Sequence, residues 1–281
     1  ATSSQGFKCI RVALSYMDDP VVSIVTPSYN QANFIEDNIL SVKNVNNDMV
    51  EHIIIDGDSD DETISILEKH KNEYNLRWIS EEDSGQVEAV NKGIDLAQGK
   101  WIGWQNSDDY YTKDGLQTLI NHAKSYPDKD VIYGDLKVVD EKGHHIKTRY
   151  HTISSKFIQR YFGNFTANQT MLFKNSVASD VFPLSKEFEY ALDIELFWRL
   201  LNSELKLKHI PKEVGAVRFH NSTKTSNFSN IQKSQGEKID RKMYQQNIIE
   251  ENISTSMLFI ISLLFRYYLI IREDQSEVIS H

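Results

Sequence analysis

Two adjacent carboxylates, Asp108 and Asp109, form the residue pair whose types and spacing most directly suggest chemistry. They end the run Asn106-Ser107-Asp108-Asp109, which follows the apolar segment 101–105. Neighbouring negative charges repel, so they destabilise a strand end unless a cation or hydrogen-bond donors compensate. Divalent Mg²⁺ or Mn²⁺ prefers oxygen ligands and often binds one or two carboxylates together with substrate phosphates. The pair therefore predicts a metal–diphosphate site; the alternative is a solvated turn whose aspartate caps the next helix.

Hydrophobic periodicity predicts the elements that must position these carboxylates. The predicted strands are 21–26, 50–55, 76–80, 101–105, 131–134 and 137–139. Helices are expected from about residue 34, from the capping-box pair Ser59 and Glu62, and at 87–97, 116–123, 191–201 and 231–253. Gly99 is expected to cap the helix at 87–97, and residues 211–230 read as polar loops. Repeated strand–helix units imply an α/β fold with a mostly parallel sheet.

Ligands of such sheets bind beyond the carboxyl ends of the strands, and carboxylates are concentrated there in this sequence. The four predicted ends are Thr26–Asn30, Asp56–Asp61, Ser80–Asp83 and Asn106–Asp109. The sequence has neither a GxGxxG nor a GxxxxGK[ST] motif, so dinucleotide and P-loop sites lack their phosphate-binding loop. Chemistry is therefore expected at these ends, with another kind of phosphate recognition.

Composition excludes several broad classes of protein. Hydrophobic types make up 40% of the 281 residues, which is enough for a core and excludes global disorder. The net charge of −9 argues against non-specific nucleic-acid binding, which needs clustered basic surface. The one cysteine, Cys9, makes neither an internal disulfide nor a cysteine-based zinc site. Residues 1–20 lack the apolar segment of a signal peptide.

Several motifs, taken in order, resemble those of the family 2 glycosyltransferases. In the nucleotide-sugar half they are Thr26-Pro27-Ser28-Tyr29-Asn30, Ile55-Asp56-Gly57-Asp58-Ser59, Glu82-Asp83-Ser84-Gly85-Gln86 with Asn91-Lys92-Gly93, and Asn106-Ser107-Asp108-Asp109. Further along they are Tyr133-Gly134-Asp135, the segment from Ala191 to Leu200, and Arg218-Phe219-His220 with Ser222 and Lys224. The resemblance covers about residues 20–226, and the order of the motifs makes it more specific than any one of them.

The resemblance implies a GT-A fold, a Rossmann-like, mostly parallel sheet flanked by helices, with a C-terminal helical extension. It divides the chain into an N-terminal extension at 1–20, a nucleotide-sugar-binding half at 21–140, an acceptor and catalytic-base half at 141–230, and C-terminal helices at 231–281. It also implies an inverting glycosyltransferase that uses a nucleotide-diphosphate sugar, most often UDP-linked, and Mn²⁺ or Mg²⁺. The acceptor would be a hydroxyl of a glycan, glycoprotein or lipid-linked glycan.

Individual roles follow from the resemblance, motif by motif. The donor-binding residues would be Thr26, Pro27, Tyr29, Asn30, Asp56, Asp58, Asp83, Gln86, Asn91, Asn106, Asp108 and Lys224. Tyr29 would lie near the base, and Asp56 would contact uracil or ribose. Asp108 would face the ribose or the sugar. Asp109 would hold the metal, with His220 completing the shell or serving only as a structural hydrogen-bonding residue.

Asp193 matches the position of the family's general base. An inverting displacement needs a carboxylate that takes the proton of the attacking hydroxyl, a role worth about 10²–10⁴-fold in rate. The alternative is a helix-surface aspartate that pairs with Arg199 or a lysine. Glu195, two residues on, would point to another side of the helix. Trp198, like Trp101 and Trp104, is expected in the core.

The apolar run 257–271 is shorter than the roughly 20 residues that span a bilayer, and Arg266 interrupts it. It predicts either a peripheral membrane contact or a helix buried against the domain or across a homodimer. Many family members act at the inner face of the cytoplasmic membrane, so the resemblance favours a cytoplasmic enzyme near that membrane.

Two other functions stay open at this stage. A sugar nucleotidyltransferase also uses metal carboxylates on a Rossmann-like sheet, but it needs a glycine-rich, basic loop that residues 29–33 do not provide. The other hypothesis is a catalytically inactive subunit of a glycan assembly complex that binds a nucleotide or a glycan. The presence of Asp108, Asp109 and Asp193 argues against it.

Overall fold

The computed structural model of the chain describes residues 20–45, 49–151, 167–220 and 229–245, with side chains described at 230–239 in the last range. Residues 1–19 of the predicted extension at 1–20, together with Lys224 and the apolar run 257–271, lie outside the described residues. No helix of the described ranges is long and apolar enough to cross a membrane.

Nine strands and seven α-helices are described. The strands are β1 (Val22–Ser28), β2 (Val50–Asp56), β3 (Leu76–Ser80), β4 (Trp101–Trp104), β5 (Tyr110–Tyr111), β6 (Val131–Val139), β7 (His145–Arg149), β8 (Met171–Lys174) and β9 (Leu207–Arg218). The helices are α1 (Ile35–Lys43), α2 (Thr63–His70), α3 (Gln86–Leu96), α4 (Gly115–Ser125), α5 (Ala178–Val181), α6 (Leu192–Asn202) and α7 (Ser229–Gln245). A 3₁₀ turn at Asn168–Thr170 precedes β8.

The strands form one sheet in the order β3-β2-β1-β4-β8-β6-β9-β5, with β7 also paired to β6. The first four strands are mutually parallel, as predicted, so their carboxyl ends meet at one edge. In the second half β8 runs antiparallel between β4 and β6, whereas β6 and β9 are parallel. The predicted boundary at residue 140 falls between β6 and β7, and both halves contribute strands to this sheet.

Both faces of the sheet are covered, which explains why every residue of β1 and β2 is buried rather than every second one. One face packs Val25, Trp104 and Phe173 against α3 and α6. The other packs Ile24, Ile132 and Val214 against α4. The three tryptophans expected in the core are all buried: Trp101 and Trp104 on the sheet, and Trp198 between α6 and α7.

Several sequence-based boundaries were wrong, each for a local reason. The predicted strands 131–134 and 137–139 are one strand, β6. Much of the predicted loop 211–230 is β9, whose exposed residues 211–213 interrupt the apolar pattern. Gly99 does not cap α3; its N–H bonds to Ser23 Oγ at 2.7 Å, and a Cβ at Gly99 would lie 2.4 Å from Ser23 N.

The capping-box pair was also wrong. Ser59 Oγ donates to Asp56 Oδ1 at 2.6 Å, and α2 begins only at Thr63. The Thr63 N–H bonds instead to Asp61 Oδ1 at 2.9 Å. The Asp56–Asp61 segment is therefore a hydrogen-bonded loop rather than the first turn of the helix.

Candidate functional site

The loops that follow β1 and β2 are joined to each other by hydrogen bonds. The Asn30 N–H donates to Ser59 Oγ at 2.8 Å, and the Asp60 N–H donates to Asn30 Oδ1 at 3.0 Å. Asn30 and the exposed Asp58 both have left-handed backbone angles, with φ of 52° and 65°. Tyr29, which follows Pro27 and Ser28 in the chain, is 60% exposed beside this frame at the strand ends.

Asp56, the last residue of β2, is buried below this frame. Its carboxylate accepts hydrogen bonds from Ser59 N, Ser59 Oγ and Ser80 Oγ at 2.6–2.9 Å. Thr26 is buried deeper in the sheet, where its Oγ1 lies 2.9 Å from His52 Nε2. The Thr26 side chain therefore bonds within the protein, while Asp56 is held rigidly at the carboxyl edge.

Asp83 lies beside Asp56 at the end of β3. A Cβ at Gly57 would come within 3.1 Å of Asp83 Oδ1, so glycine allows this close approach. The Gly85 N–H donates to the same oxygen at 2.8 Å. Burial, with the charges of Glu88 and Asp56, raises the pKa of Asp83. Acceptor groups therefore predominate on this side of the edge, which suits a ligand that presents N–H and O–H donors.

Gln86 and Asn91, both on α3, have different positions. Gln86 Nε2 donates to Asn106 Oδ1 at 2.9 Å and so connects α3 to the loop after β4. The Asn91 amide bonds at both of its atoms to the backbone of Leu184, at 3.0 and 2.8 Å. Asn91 therefore fastens the chain near residue 184 to α3. This structural role differs from the contact with the nucleotide-sugar that the sequence predicted for Asn91.

Asp109 is the more deeply buried of the two adjacent aspartates, with 2% of its surface exposed. Its Oδ1 accepts the Arg218 N–H at 2.9 Å, and its Oδ2 accepts Gln169 Nε2 at 2.6 Å and Asn106 Nδ2 at 3.1 Å. Burial and the neighbouring charge of Asp108 raise the pKa of Asp109 well above its usual range. Three protein donors thus occupy the carboxylate that we expected to hold the metal.

Asp108 is placed differently. Its Oδ2 lies 3.1 Å from His220 Nε2, and 23% of its side chain is exposed. The His220 ring packs on Phe34, with ring centroids 4.4 Å apart. A carboxylate oxygen and an imidazole nitrogen are ligands that a divalent transition ion accepts, so this pair fits a metal better than Asp109 does. Among the described residues no three His, Cys, Asp or Glu side chains are grouped to hold a metal. An ion at this pair would therefore need further coordinating oxygens from outside the protein, such as those of a diphosphate.

Asp193 lies in the first turn of α6 and is half-buried. Arg199, its alternative partner, pairs instead with the buried Glu195 at 2.6 Å. Glu195 also accepts the Ser185 N–H at 3.0 Å, which confirms that it points to another side of the helix. Asp193 is therefore presented on α6 separately from the Glu195–Arg199 pair.

Three residues that complete the site carried no predicted role. Gln169 donates to Asp109, Asn38 Nδ2 donates to the carbonyl oxygens of Asn106 and Asp109 at 2.8 and 2.9 Å, and Arg218 bonds to Asp109 through its backbone. Of the three, only Arg218 belongs to a motif that the sequence analysis had identified, Arg218-Phe219-His220. Gln169 and Asn38 reach the site from a 3₁₀ turn and a helix, and no local pattern marks them.

A scan of family models matches residues 23–186 to glycosyl transferase family 2. TuaG of Bacillus subtilis, whose name assigns it provisionally to teichuronic acid biosynthesis as a glycosyltransferase, is 39% identical over 100 residues, covering 35% of this chain and 40% of TuaG. Chondroitin synthase of Escherichia coli is 28% identical over 205 residues, covering 69% of this chain and 28% of that protein. The chain thus spans well under half the length of these curated relatives.

Among solved structures, residues 1–349 of S. aureus TarS with UDP-GlcNAc superpose with a TM-score of 0.60 at 17% identity. The superposition covers 84% of this chain and 69% of that one, and at this identity it shows the fold. The α/β GT-A architecture predicted from the sequence is confirmed. Since the family model covers more than half of its residues, the chain belongs to glycosyl transferase family 2.

Proposed function

We propose that this chain transfers a sugar from a nucleotide-diphosphate donor, most often UDP-linked, to a hydroxyl of a glycan acceptor, with inversion at the anomeric carbon. The observation that carries the proposal is the Asp108–His220 pair, 3.1 Å apart, on the edge where Asp56, Asp83 and Tyr29 also lie. The TarS structures with UDP-GlcNAc and with UDP support a uridine diphosphate donor on the same fold.

The nucleoside would occupy the ends of β1, β2 and β3. The exposed Tyr29 ring offers a surface on which a base can stack. Asp83, which is half-buried, offers acceptors to N–H and O–H groups of the base and ribose. Asp56, whose buried carboxylate accepts from Ser59 and Ser80, would hold the loop after β2 in place beneath the nucleoside.

A divalent ion, Mn²⁺ or Mg²⁺, would be held by Asp108 and His220, with diphosphate oxygens as its further ligands. When bound it would neutralise the charge that develops on the leaving diphosphate. We therefore assign the metal to Asp108 instead of Asp109: Asp109 supports the loop from within the protein, and Asp108 faces the ligand. The three donors on Asp109 support this assignment.

Asp193 would take the proton of the acceptor hydroxyl as that oxygen attacks the anomeric carbon and the diphosphate leaves. Its placement on α6, apart from the Glu195–Arg199 pair, supports this role. The acceptor is proposed to be a growing bacterial surface polysaccharide, and the transferred sugar a hexose or N-acetylhexosamine. The names of TuaG and chondroitin synthase support that class of product.

The test starts with donor binding. Wild-type protein is mixed with UDP, with and without Mn²⁺, and its melting temperature and binding heat are measured. Binding to the native state stabilises it by about 2.7 kcal/mol at 100 Kd. We expect stabilisation by UDP that increases with Mn²⁺, and its absence with every nucleotide diphosphate would overturn the proposal.

Catalysis is tested with Asp193→Asn, compared with Asp180→Asn on the neighbouring α5. Release of UDP from UDP-sugars in the presence of oligosaccharide acceptors is measured for both variants. Asp193→Asn should bind UDP and Mn²⁺ as the wild type does but lose about 10²–10⁴-fold in kcat. Asp180→Asn should keep its rate. An unchanged rate for Asp193→Asn would remove the general-base assignment.

A further inference from the structure

Arg218, the last residue of β9, is a buried cation beside the Asp108–His220 pair. Its Nε donates to the carbonyl oxygen of Asp108 at 3.1 Å, and its backbone N–H donates to Asp109 Oδ1 at 2.9 Å. His220 follows only two residues later in the chain. Arg218 therefore contacts one member of the pair directly and is separated from the other by a single residue, Phe219.

The other end of the guanidinium is fixed by two more parts of the fold. One terminal nitrogen donates to Asp37 Oδ2 of α1 at 2.6 Å, and the other donates to the carbonyl oxygen of Glu141 in the β6–β7 turn at 2.8 Å. Each of the three guanidinium nitrogens thus has a protein partner. The group is arranged to hold backbone and side chains in place rather than to bind the ligand itself.

The aromatic neighbours reinforce this position. The guanidinium carbon lies 5.0 Å from the Phe34 ring centroid and 5.3 Å from that of Tyr110. The same Phe34 ring packs against His220. Movement of the guanidinium would therefore disturb both the surface on which His220 rests and the carbonyl of Asp108.

The planar guanidinium is hard to replace in this setting. It sends donors in three directions at once, whereas a lysine ammonium is a flexible point charge that does not reproduce this fork. It also places a positive charge among Asp37, Asp108 and Asp109, which would otherwise repel each other. An Arg218→Lys substitution keeps the positive charge but removes the planar fork of donors. It therefore separates the contribution of the charge from that of the hydrogen bonds.

We propose that Arg218 is a positioning residue for the divalent cation of the donor site: it holds the Asp108 carboxylate and the His220 imidazole at the separation that lets both ligate one ion. The proposal rests on the proposed function, since it assumes that this pair binds the metal. Arg218 itself does not touch the metal or the donor. Outer-shell partners of metal ligands typically contribute about 10–100-fold to metal affinity or activity.

The experiment compares Mn²⁺ binding by wild type, Arg218→Lys and Arg77→Lys. Arg77 is a matched control because it also donates to a carbonyl, that of Leu96 at 3.1 Å, and lies 3.7 Å from Glu51, but on β3 away from the pair. Free Mn²⁺ is measured by electron paramagnetic resonance at saturating UDP, and melting temperatures are recorded in parallel. Arg218→Lys should weaken Mn²⁺ binding about 10-fold or more, and Arg77→Lys should leave it unchanged.

A second variant covers the case in which Arg218→Lys does not fold. Asp37→Asn removes the carboxylate partner of Arg218 at a side chain that is 58% exposed, so the fold should tolerate it. It should weaken Mn²⁺ binding several-fold while UDP still binds. A lower melting temperature with unchanged Mn²⁺ affinity, in either folded variant, would show a merely structural role and overturn the proposal. If the affinity of the wild-type protein for UDP is the same with and without Mn²⁺, the assignment of a metal to the Asp108–His220 pair is wrong, and the role proposed for Arg218 is overturned with it.

Discussion

Asp109 shows at the scale of single residues how a buried carboxylate supports a half-buried neighbour, Asp108. Its position after a buried strand was predictable, and so were those of Asp56, Asp83 and Asp108, because strand ends are marked by a change from apolar to acidic residues. Which of the adjacent aspartates is the more deeply buried was not predictable. That burial depends on Gln169 and Arg218, which reach Asp109 from distant parts of the chain.

Substitution of Gln169 should measure how strongly that support contributes to folding. Gln169 Nε2 donates to the buried Asp109 Oδ2, and leaving a buried acceptor without its partner costs about 1–3 kcal/mol. Gln169→Leu should therefore lower the free energy of unfolding by about that amount in urea titrations. Gln117→Leu is the control, since the Gln117 amide bonds to Asn121 at the surface of α4 and its loss should change stability little. Equal losses in both variants would contradict the importance of the Gln169 bond.

At the scale of elements, the parallel strands β1 to β4 were predictable because each is a short, largely apolar and β-branched or aromatic run between turn residues. β9 was not, since its exposed residues 211–213 break the pattern although the strand continues. The packing of helices on these strands depends on single glycines. A Cβ at Gly93 of α3 would lie 2.3 Å from Val25 Cγ1, whereas one at Gly236 of α7 would meet only the end of the Ile194 side chain, at 3.3 Å.

Alanine at these two glycines should therefore have opposite effects. Gly93→Ala forces α3 away from β1, and overpacking of this kind costs about 1–3 kcal/mol. Gly236→Ala gains helix propensity, up to about 1 kcal/mol, because the Ile194 side chain can turn aside. Thermal and urea unfolding of the two variants should show destabilisation for the first and no loss for the second. A stable Gly93→Ala variant would mean that α3 packs less closely than described.

Across the whole molecule, two buried histidines link stability to pH. Burial lowers the pKa of His52 to about 3 and that of His151 to about 4, from an ordinary value of 6.5. Between pH 6.5 and the lowered pKa of each histidine, the unfolded chain binds a proton at that histidine that the folded chain does not. Stability should therefore be independent of these groups above about pH 6.5 and fall as the pH is lowered towards 4.

His151→Asn should flatten this acid-side loss. Melting temperatures measured from pH 7 to pH 4 should converge for variant and wild type as the pH falls, because the variant no longer has the His151 proton to take up on unfolding. His144→Asn is the control, since His144 is 74% exposed and pairs with Asp140 at the surface. A His151→Asn profile parallel to that of the wild type would exclude His151 as a source of the acid sensitivity.

The connection of Arg218 to Asp37 has a consequence for the order in which the site is made. The two residues are 181 positions apart, and Asp108 and His220 are 112 apart. Contacts this distant in sequence close late, after local strand–helix units have formed. During synthesis, strands β1 to β4 emerge first and already carry Tyr29, Asp56 and Asp83. Strand β9 and His220 are synthesised later, so an unfinished chain would carry Tyr29, Asp56 and Asp83, the residues proposed to bind the nucleoside, before the Asp108–His220 pair can form.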